Sequence, residues 1–378
     1  MRPFVDFYRA NKISPVEQDI TDRRRHFERR EALYRHLGLV PSFLAGRRVL
    51  EFGPGSGHNA LHTLSLIPSR YTLVDANPTG LERCRALLAG EANAGVLEYV
   101  ESMIETFRAD GTYDLVLCEG VIPFQIDPPG FLAQVARAAR PGGVVVATTA
   151  DAVSVLPEML RKLMARLLVP GDAPADQQLA VLRPIFRPHL ATLAGMSRPH
   201  DDWILDQLVQ PWVGELFSIE CAVNALDREF DLHGSSPKFL TDWRWYKSIH
   251  GAERRWNQTA VESYLANLHS LLDHRTTFAP RDPAANATLL RLAEQVYAAI
   301  GGIDRGGDAR EAAEQVLDRL DGIYEQVVTF SLDIAGAIDD AATAIDLLLQ
   351  HGPLPVLACG RLVPWFGRGQ QYVSFIRR

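Results

Sequence analysis

Apolar residues in the first part of the chain gather in short runs of strand length. Val49–Leu50, Tyr71–Val74, Val96–Val100, Tyr113–Cys118 and Val144–Thr148 are such runs. The fourth is apolar almost throughout, as a parallel strand covered on both faces must be. Between the runs the period changes to that of a helix. One helix is predicted from His58–Asn59 to Ile67, where Pro68 stops it. Another runs from Thr79 to about Ala89, with Leu81, Cys84, Leu87 and Leu88 as its stripe, and a third from Phe131 to Ala139. Arg140-Pro141-Gly142-Gly143 then predicts a tight turn into the fifth strand. Strand and helix in alternation predict a parallel α/β sheet.

Before the first strand, Asp19 to Asp22 can cap a helix over Arg23–Leu37. Phe27, Leu33, Tyr34 and Leu37 give it an apolar face. Arg23, Arg24, Arg25, Arg29 and Arg30 lie elsewhere and predict a solvated basic face. Beyond residue 150, Val155–Leu168 reads as an amphipathic helix. Pro184, Pro188, Pro199 and Pro211 predict several short helices across 177–213. Ser218 caps a helix to Leu226, Glu229–Gly234 forms a sixth strand, and 250–350 is mainly helical with stripes at spacings of three and four. Gln371–Ile376 is a closing β-rich run.

The candidate chemistry sits at the first strand's end. Glu51-Phe52-Gly53-Pro54-Gly55-Ser56-Gly57 places three glycines at alternate positions behind an acidic residue. This spacing is not the dinucleotide G-x-G-x-x-G. A strand, a glycine turn and a helix start let backbone approach a ligand and offer it free N–H groups. The second strand ends in Asp75, an acidic side chain able to accept both hydroxyls of a ribose.

Glu51 to Gly57, Asp75, the fourth strand and the helix–R-P-G-G–strand pattern together resemble the class I S-adenosylmethionine-dependent methyltransferase family. The resemblance covers roughly residues 46 to 150. It implies an α/β, Rossmann-like seven-stranded sheet with an added helical cap and a helical insertion, in which the final strand runs reversed beside the fifth. The expected organisation is an N-terminal helical arm or lid over 1–45 and a cofactor-binding core over 46–240 plus 353–378. The helical cap would fall at about 155–215 and the helical insertion at 241–352.

The resemblance implies S-adenosyl-L-methionine as cofactor, held by Glu51, Gly53, Pro54, Gly55, Gly57, Asn59, Asp75, Ala76, Met103, Ile104, Glu119 and Gly120. Members of the family often place an Asp after the third strand to bind the adenine amine. Met103 stands there instead, so adenine is expected on backbone N–H groups and on Met103 and Ile104. Candidate bases are His58, Glu119, Asp242 and Tyr246. His58 is alternatively a neighbour of the helix cap, and Glu119 a strand-end cap. Tyr8 or His26 on the arm can reach the site. Tyr8, Trp203, Trp243 and Trp245 are the expected acceptor-pocket residues, and the two last, with Tyr246 and Trp256, can make an aromatic wall for a cation or ring. Their alternation also fits a half-buried strand, and Trp203 also fits a core.

Composition narrows the partners. The chain has 378 residues, 47% hydrophobic and 22% charged, which exceeds the needs of one minimal α/β domain. A net charge of −7 disfavours a nucleic-acid partner. The fourth strand is followed by neither Asn-Pro-Pro-Tyr nor Pro-Cys, which argues against the corresponding adenine and cytosine chemistries. Four scattered cysteines without C-x-x-C signal neither a zinc site nor a disulfide framework, and no metal is expected. No apolar run of about 18 residues is present and the first residues do not read as a signal peptide, so a cytoplasmic protein is expected.

The expected function is methyl transfer to an O or N of a small-molecule acceptor, in secondary metabolism. A homodimer through the helical insertion is compatible with the pattern. Two alternatives stand beside methyl transfer. One is attack on the aminocarboxypropyl arm with release of methylthioadenosine, for example cyclisation to azetidine-2-carboxylate. The other is a non-catalytic cofactor-binding scaffold.

Overall fold

The computed structural model describes residues 18–123, 125–212, 214–351 and 360–378. In chain order the elements used below are α1 (Arg23–His36), β1 (Arg48–Phe52), α2 (His58–Ser65), β2 (Arg70–Asp75), α3 (Pro78–Leu88), β3 (Leu97–Glu101), β4 (Tyr113–Cys118), α4 (Pro128–Ala136) and β5 (Ala139–Thr149). They continue with α5 (Leu156–Leu168), α6 (Ala175–Leu190), α7 (His200–Ile204), α8 (Ile219–Leu226), β6 (Phe230–Ser236) and α9 (Trp256–Asn267). The last are α10 (Pro283–Asp304), α11 (Ala309–Val327), α12 (Leu332–His351) and β7 (Gln371–Arg377).

Seven strands form one sheet in the order β3-β2-β1-β4-β5-β7-β6. The first five are parallel to one another, and β7 runs antiparallel between β5 and β6, with Val144 opposite Ile376 and Phe230 opposite Arg377. This is the Rossmann-like arrangement with a reversed last strand that the family resemblance implies. The order reverses at β1, since β2 lies on one side of it and β4 on the other. In such sheets ligands bind beyond the carboxyl ends of the strands at this switch point. A core of Leu37, Leu39, Val49, Leu73, Leu115, Leu117 and Val146, all buried, packs α1, α2 and α3 on the sheet.

The contacts divide the described residues into two compact units. The first draws on Met1–Ala150, Gly214–Tyr264 and Gln370–Arg378 and contains the whole sheet; the second draws on Asp151–Val213 and Leu265–Gly369 and is helical. The residues expected as a cap, about 155–215, therefore fall almost entirely with the second unit, which also takes most of 241–352.

Two local expectations need correction. Arg140–Gly143 is not a turn from a helix but part of β5: Ala139 already pairs with Tyr113, and the register slips before Leu115 pairs with Val144. Gly142 has φ +72°, and a Cβ at Gly143 would lie 2.9 Å from both Arg140 O and Tyr113 O, so the bulge uses glycine for close approach. In the second unit, 177–190 is not broken into short helices. Pro184 and Pro188 sit inside α6. Four residues apart, they remove two donors on one face, while Leu182, Phe186, His189 and Leu190 bury the other and keep the helix continuous.

Among the described residues no helix is long and apolar enough to cross a membrane, and no group of three or more His, Cys, Asp or Glu side chains is placed to hold a metal ion.

Candidate functional site

The carboxyl ends of β1, β2 and β4 bring one set of residues together. The turn after β1 has left-handed backbone at Gly53, Gly55 and Gly57, with φ +70°, +54° and +82°. A Cβ at Gly53 would approach Val121 Cγ2 to 2.5 Å, and one at Gly57 would approach Cys84 Sγ to 2.6 Å. Both positions thus exclude side chains by backbone angle and by space. Gly57 caps α2 and leaves the first turn of that helix facing the loop.

Asp75 closes the turn from β2. Its Oδ2 accepts from Gly55 N at 3.2 Å and its Oδ1 from Asn77 N at 2.8 Å. Burial raises its carboxyl above the usual range, partly offset by N–H groups of Asn77, Gly55 and Ala76. Ser102 N donates to Asp75 O at 3.1 Å, which brings the loop after β3 alongside, with Ile104 buried and Met103 half-buried.

Glu51 lies beneath the turn, buried and accepting from the Tyr71 hydroxyl. Burial, with Glu119 repelling, raises it to about 7. Glu119, at the end of β4, is also buried. It takes two 2.7 Å bonds from Arg30 on α1 and one of 3.3 Å from Asn59 Nδ2. Burial opposes the Arg30 charge, but Glu119 overcomes this and holds the guanidinium well above its usual value. Among the described residues the buried Nε of Arg30 has no hydrogen-bond partner. Gly120 N donates to Thr148 Oγ1 at 2.9 Å and anchors the turn after β4.

Arg30 belongs to this site although the basic residues of α1 read as a solvated face. The missed signal was its spacing. His26, Arg30 and Tyr34 recur every four residues, and all three are buried. His26 Nε2 donates to His58 O at 2.9 Å and Tyr34 shares a 2.7 Å hydrogen bond with Thr63, so this face of α1 docks on α2.

His58 starts α2, and its Nδ1 accepts from Gln18 N at 3.2 Å. That lone pair is engaged, which places the ring proton of neutral His58 on Nε2. Asp242 and Tyr246 lie apart, in an exposed loop between β6 and α9. Asp242 takes a two-pronged ion pair from Arg244, whose hydrogen bonds hold it down at about 2. Trp243, Trp245 and Tyr246 are 93%, 66% and 73% exposed, so they form here neither a packed wall nor a half-buried strand. Trp203 is in the second unit, edge-on to Phe366 at 6.1 Å. Tyr8 lies outside the described residues.

The switch-point sheet, the glycine turn and Asp75 together make the candidate site of a Rossmann-like α/β domain. A family described as "methyltransferase domain" matches residues 50–147. Through this domain the chain is similar to the class I S-adenosylmethionine-dependent methyltransferases.

Among curated relatives, the phthiotriol/phenolphthiotriol dimycocerosates methyltransferase of Mycobacterium leprae is 36% identical over 34% of this chain and 45% of its own length. The ubiquinone biosynthesis O-methyltransferase of Methylocella silvestris is 31% identical over 37% of this chain and 54% of its own. The fatty-acid O-methyltransferase of Mycolicibacterium smegmatis is 34% identical over 47% of this chain and 62% of its own. The chain thus spans about half the length of these relatives.

Proposed function

We propose that the protein is an S-adenosylmethionine-dependent methyltransferase acting on an oxygen of a small-molecule acceptor. The observation that carries this is the glycine turn held against Asp75, whose left-handed Gly53 and Gly57 pack so closely on Val121 and Cys84 that neither position admits a Cβ. The residues fit the cofactor. Asp75 accepts the ribose hydroxyls, Met103 and Ile104 cover the adenine, and the glycine turn admits the nucleoside without a pyrophosphate contact. Arg30 supplies an unsatisfied donor for a carboxylate, and Glu51 and Glu119 supply negative charge for a cationic group.

The bound cofactor supplies a methyl on a sulfonium, open to in-line displacement. What the protein adds is orientation and exclusion of water, with a base only where the acceptor must lose a proton. Glu119 is committed to Arg30, and His58 Nδ1 to Gln18. Both act as positioning groups for the site wall. Two of the three relatives described above carry O-methyltransferase in their names, which supports oxygen as the acceptor atom.

The test is product analysis by mass spectrometry. With hydroxyl- and carboxyl-bearing acceptors, S-adenosylhomocysteine and a methylated product should appear together. Methylthioadenosine formed without any acceptor would overturn methyl transfer in favour of attack on the aminocarboxypropyl arm. The exposed Trp243, Trp245 and Tyr246 do not supply the enclosed aromatic cage that reaction would call for.

A further inference from the structure

We propose that the loop over residues 237–256, in the first unit, is a docking surface for an anionic lipid bilayer. Three observations meet there. The first is exposure. Trp243, at 93%, heads the large hydrophobic side chains on the described surface, and Trp245 and Tyr246 stand beside it. Large aromatics are normally buried for their area, so three of them exposed within four residues mark an interaction site rather than ordinary surface.

The second is charge. The loop carries Lys238, Arg244, Lys247, Arg254 and Arg255 against Asp242 and Glu253, a local charge of +3 in a chain of −7. The two acids are already engaged: Asp242 with Arg244, and Glu253 within 3.9 Å of Arg244 and Arg255. Lys238, Lys247 and Arg254 are exposed. Lys247 Nζ lies 5.4 Å from the Trp245 ring centre, so cation and aromatic face solvent together.

The third is that the loop is braced, not loose. Arg244 joins its two arms, donating to Glu253 O at 2.6 Å and stacking over Trp256 at 5.6 Å. At the base, Ser263 Oγ donates to Phe239 O at 2.7 Å, and Asn257 Oδ1 accepts from Leu232 N at 2.8 Å. A built loop therefore holds its aromatics outward.

Trp and Tyr settle at the headgroup level of a bilayer because each has an apolar ring and a polar edge. Lys and Arg beside them are drawn to anionic headgroups. A second copy of the chain fits less well, because a two-fold contact would set basic loop against basic loop. Docking here is peripheral and requires no spanning helix.

The experiment uses the full chain and vesicles, with neither cofactor nor acceptor, so its outcome is independent of the methyl-transfer reading. Vesicles of phosphatidylglycerol mixed into phosphatidylcholine should co-sediment the protein at low salt, and Trp emission should shift blue. Binding should weaken as salt rises. Trp243→Ser with Trp245→Ser should reduce the partition coefficient at least about tenfold and remove the blue shift. Lys238→Glu with Lys247→Glu should do so about tenfold or more while leaving binding to neutral vesicles unchanged. All variants should keep the wild-type melting temperature, as exposed side chains allow. Equal binding to pure phosphatidylcholine, or none to either vesicle, would overturn the proposal. So would a Trp243-dependent dimer in sedimentation velocity without vesicle binding, which would assign the loop to a second copy.

Discussion

Each unit buries a charged cluster, and the two are built to opposite ends. In the second unit, Asp304 sits between Lys162 at 3.4 Å and Arg166 at 2.9 Å. Backbone takes up the remaining valences: Lys162 donates to Gln210 O, Arg166 to Val209 O, and Trp212 N donates to Asp304. Burial pushes Lys162 down to about 7. Against its own burial, the two cations hold Asp304 below its usual value. In the first unit, Arg30 and Glu119 make a two-pronged pair, but the cluster stays incomplete. Among the described residues Arg30 Nε lacks an acceptor, and Glu51 lies close enough to repel Glu119. A closed cluster is scaffold, whereas the unpartnered donor and crowded carboxylates of the other fit the charged ligand proposed above.

Removing the centre of the closed cluster should have the largest effect. Asp304→Ala leaves Lys162 and Arg166 buried without their anion and should cost about 3–5 kcal/mol in urea unfolding. Cofactor affinity of the folded protein, measured by calorimetry, should stay near wild type. A parallel tenfold loss of affinity would erase the distinction between the clusters. Glu119→Gln should act on both readouts. It keeps the shape and one acceptor but leaves the buried Arg30 without its anion, so stability should fall by about 3 kcal/mol. Cofactor affinity should weaken about tenfold or more, because the site loses a negative charge facing a cationic ligand. Unchanged affinity would make this pair scaffold too.

What the sequence disclosed follows the range of the interactions. β1, the glycine turn, Asp75 and β4 are local: apolar runs, glycines and an acid at fixed spacing suffice to read them. The β-rich run near residue 370 was legible in the sequence, but its reversed place beside β5 came from the family resemblance. Arg30 was not legible, because its partner lies 89 positions away and a helical arginine ordinarily faces water. Asp304 was hidden for the same reason, 138 positions from Arg166. Pro184 and Pro188 misled because tertiary burial of α6 outweighs local propensity. The Trp243–Tyr246 stretch misled in the other direction. Aromatics predict burial, and here a braced loop exposes them.

The finest separation between the clusters is in their protons. Glu51 has a folded-state value of about 7 against an ordinary 4.5, raised first by burial and then by Glu119, and lowered in part by Tyr71 and Arg30. Below 4.5 both folded and unfolded chains hold this proton, so it contributes no slope. Between about 4.5 and 7 the folded state keeps a proton the unfolded chain releases, so stability falls as pH rises through that window. Glu51→Gln cannot titrate and should flatten the profile there, by on the order of 1 kcal/mol between the ends. A cationic cofactor favours the ionised carboxylate. Its binding near pH 6 should therefore release a fraction of a proton, read as a dependence of the calorimetric enthalpy on buffer, and Glu51→Gln should abolish that release. Proton release that survives Glu51→Gln would move the titrating group elsewhere and leave the open cluster with no electrostatic claim on the ligand.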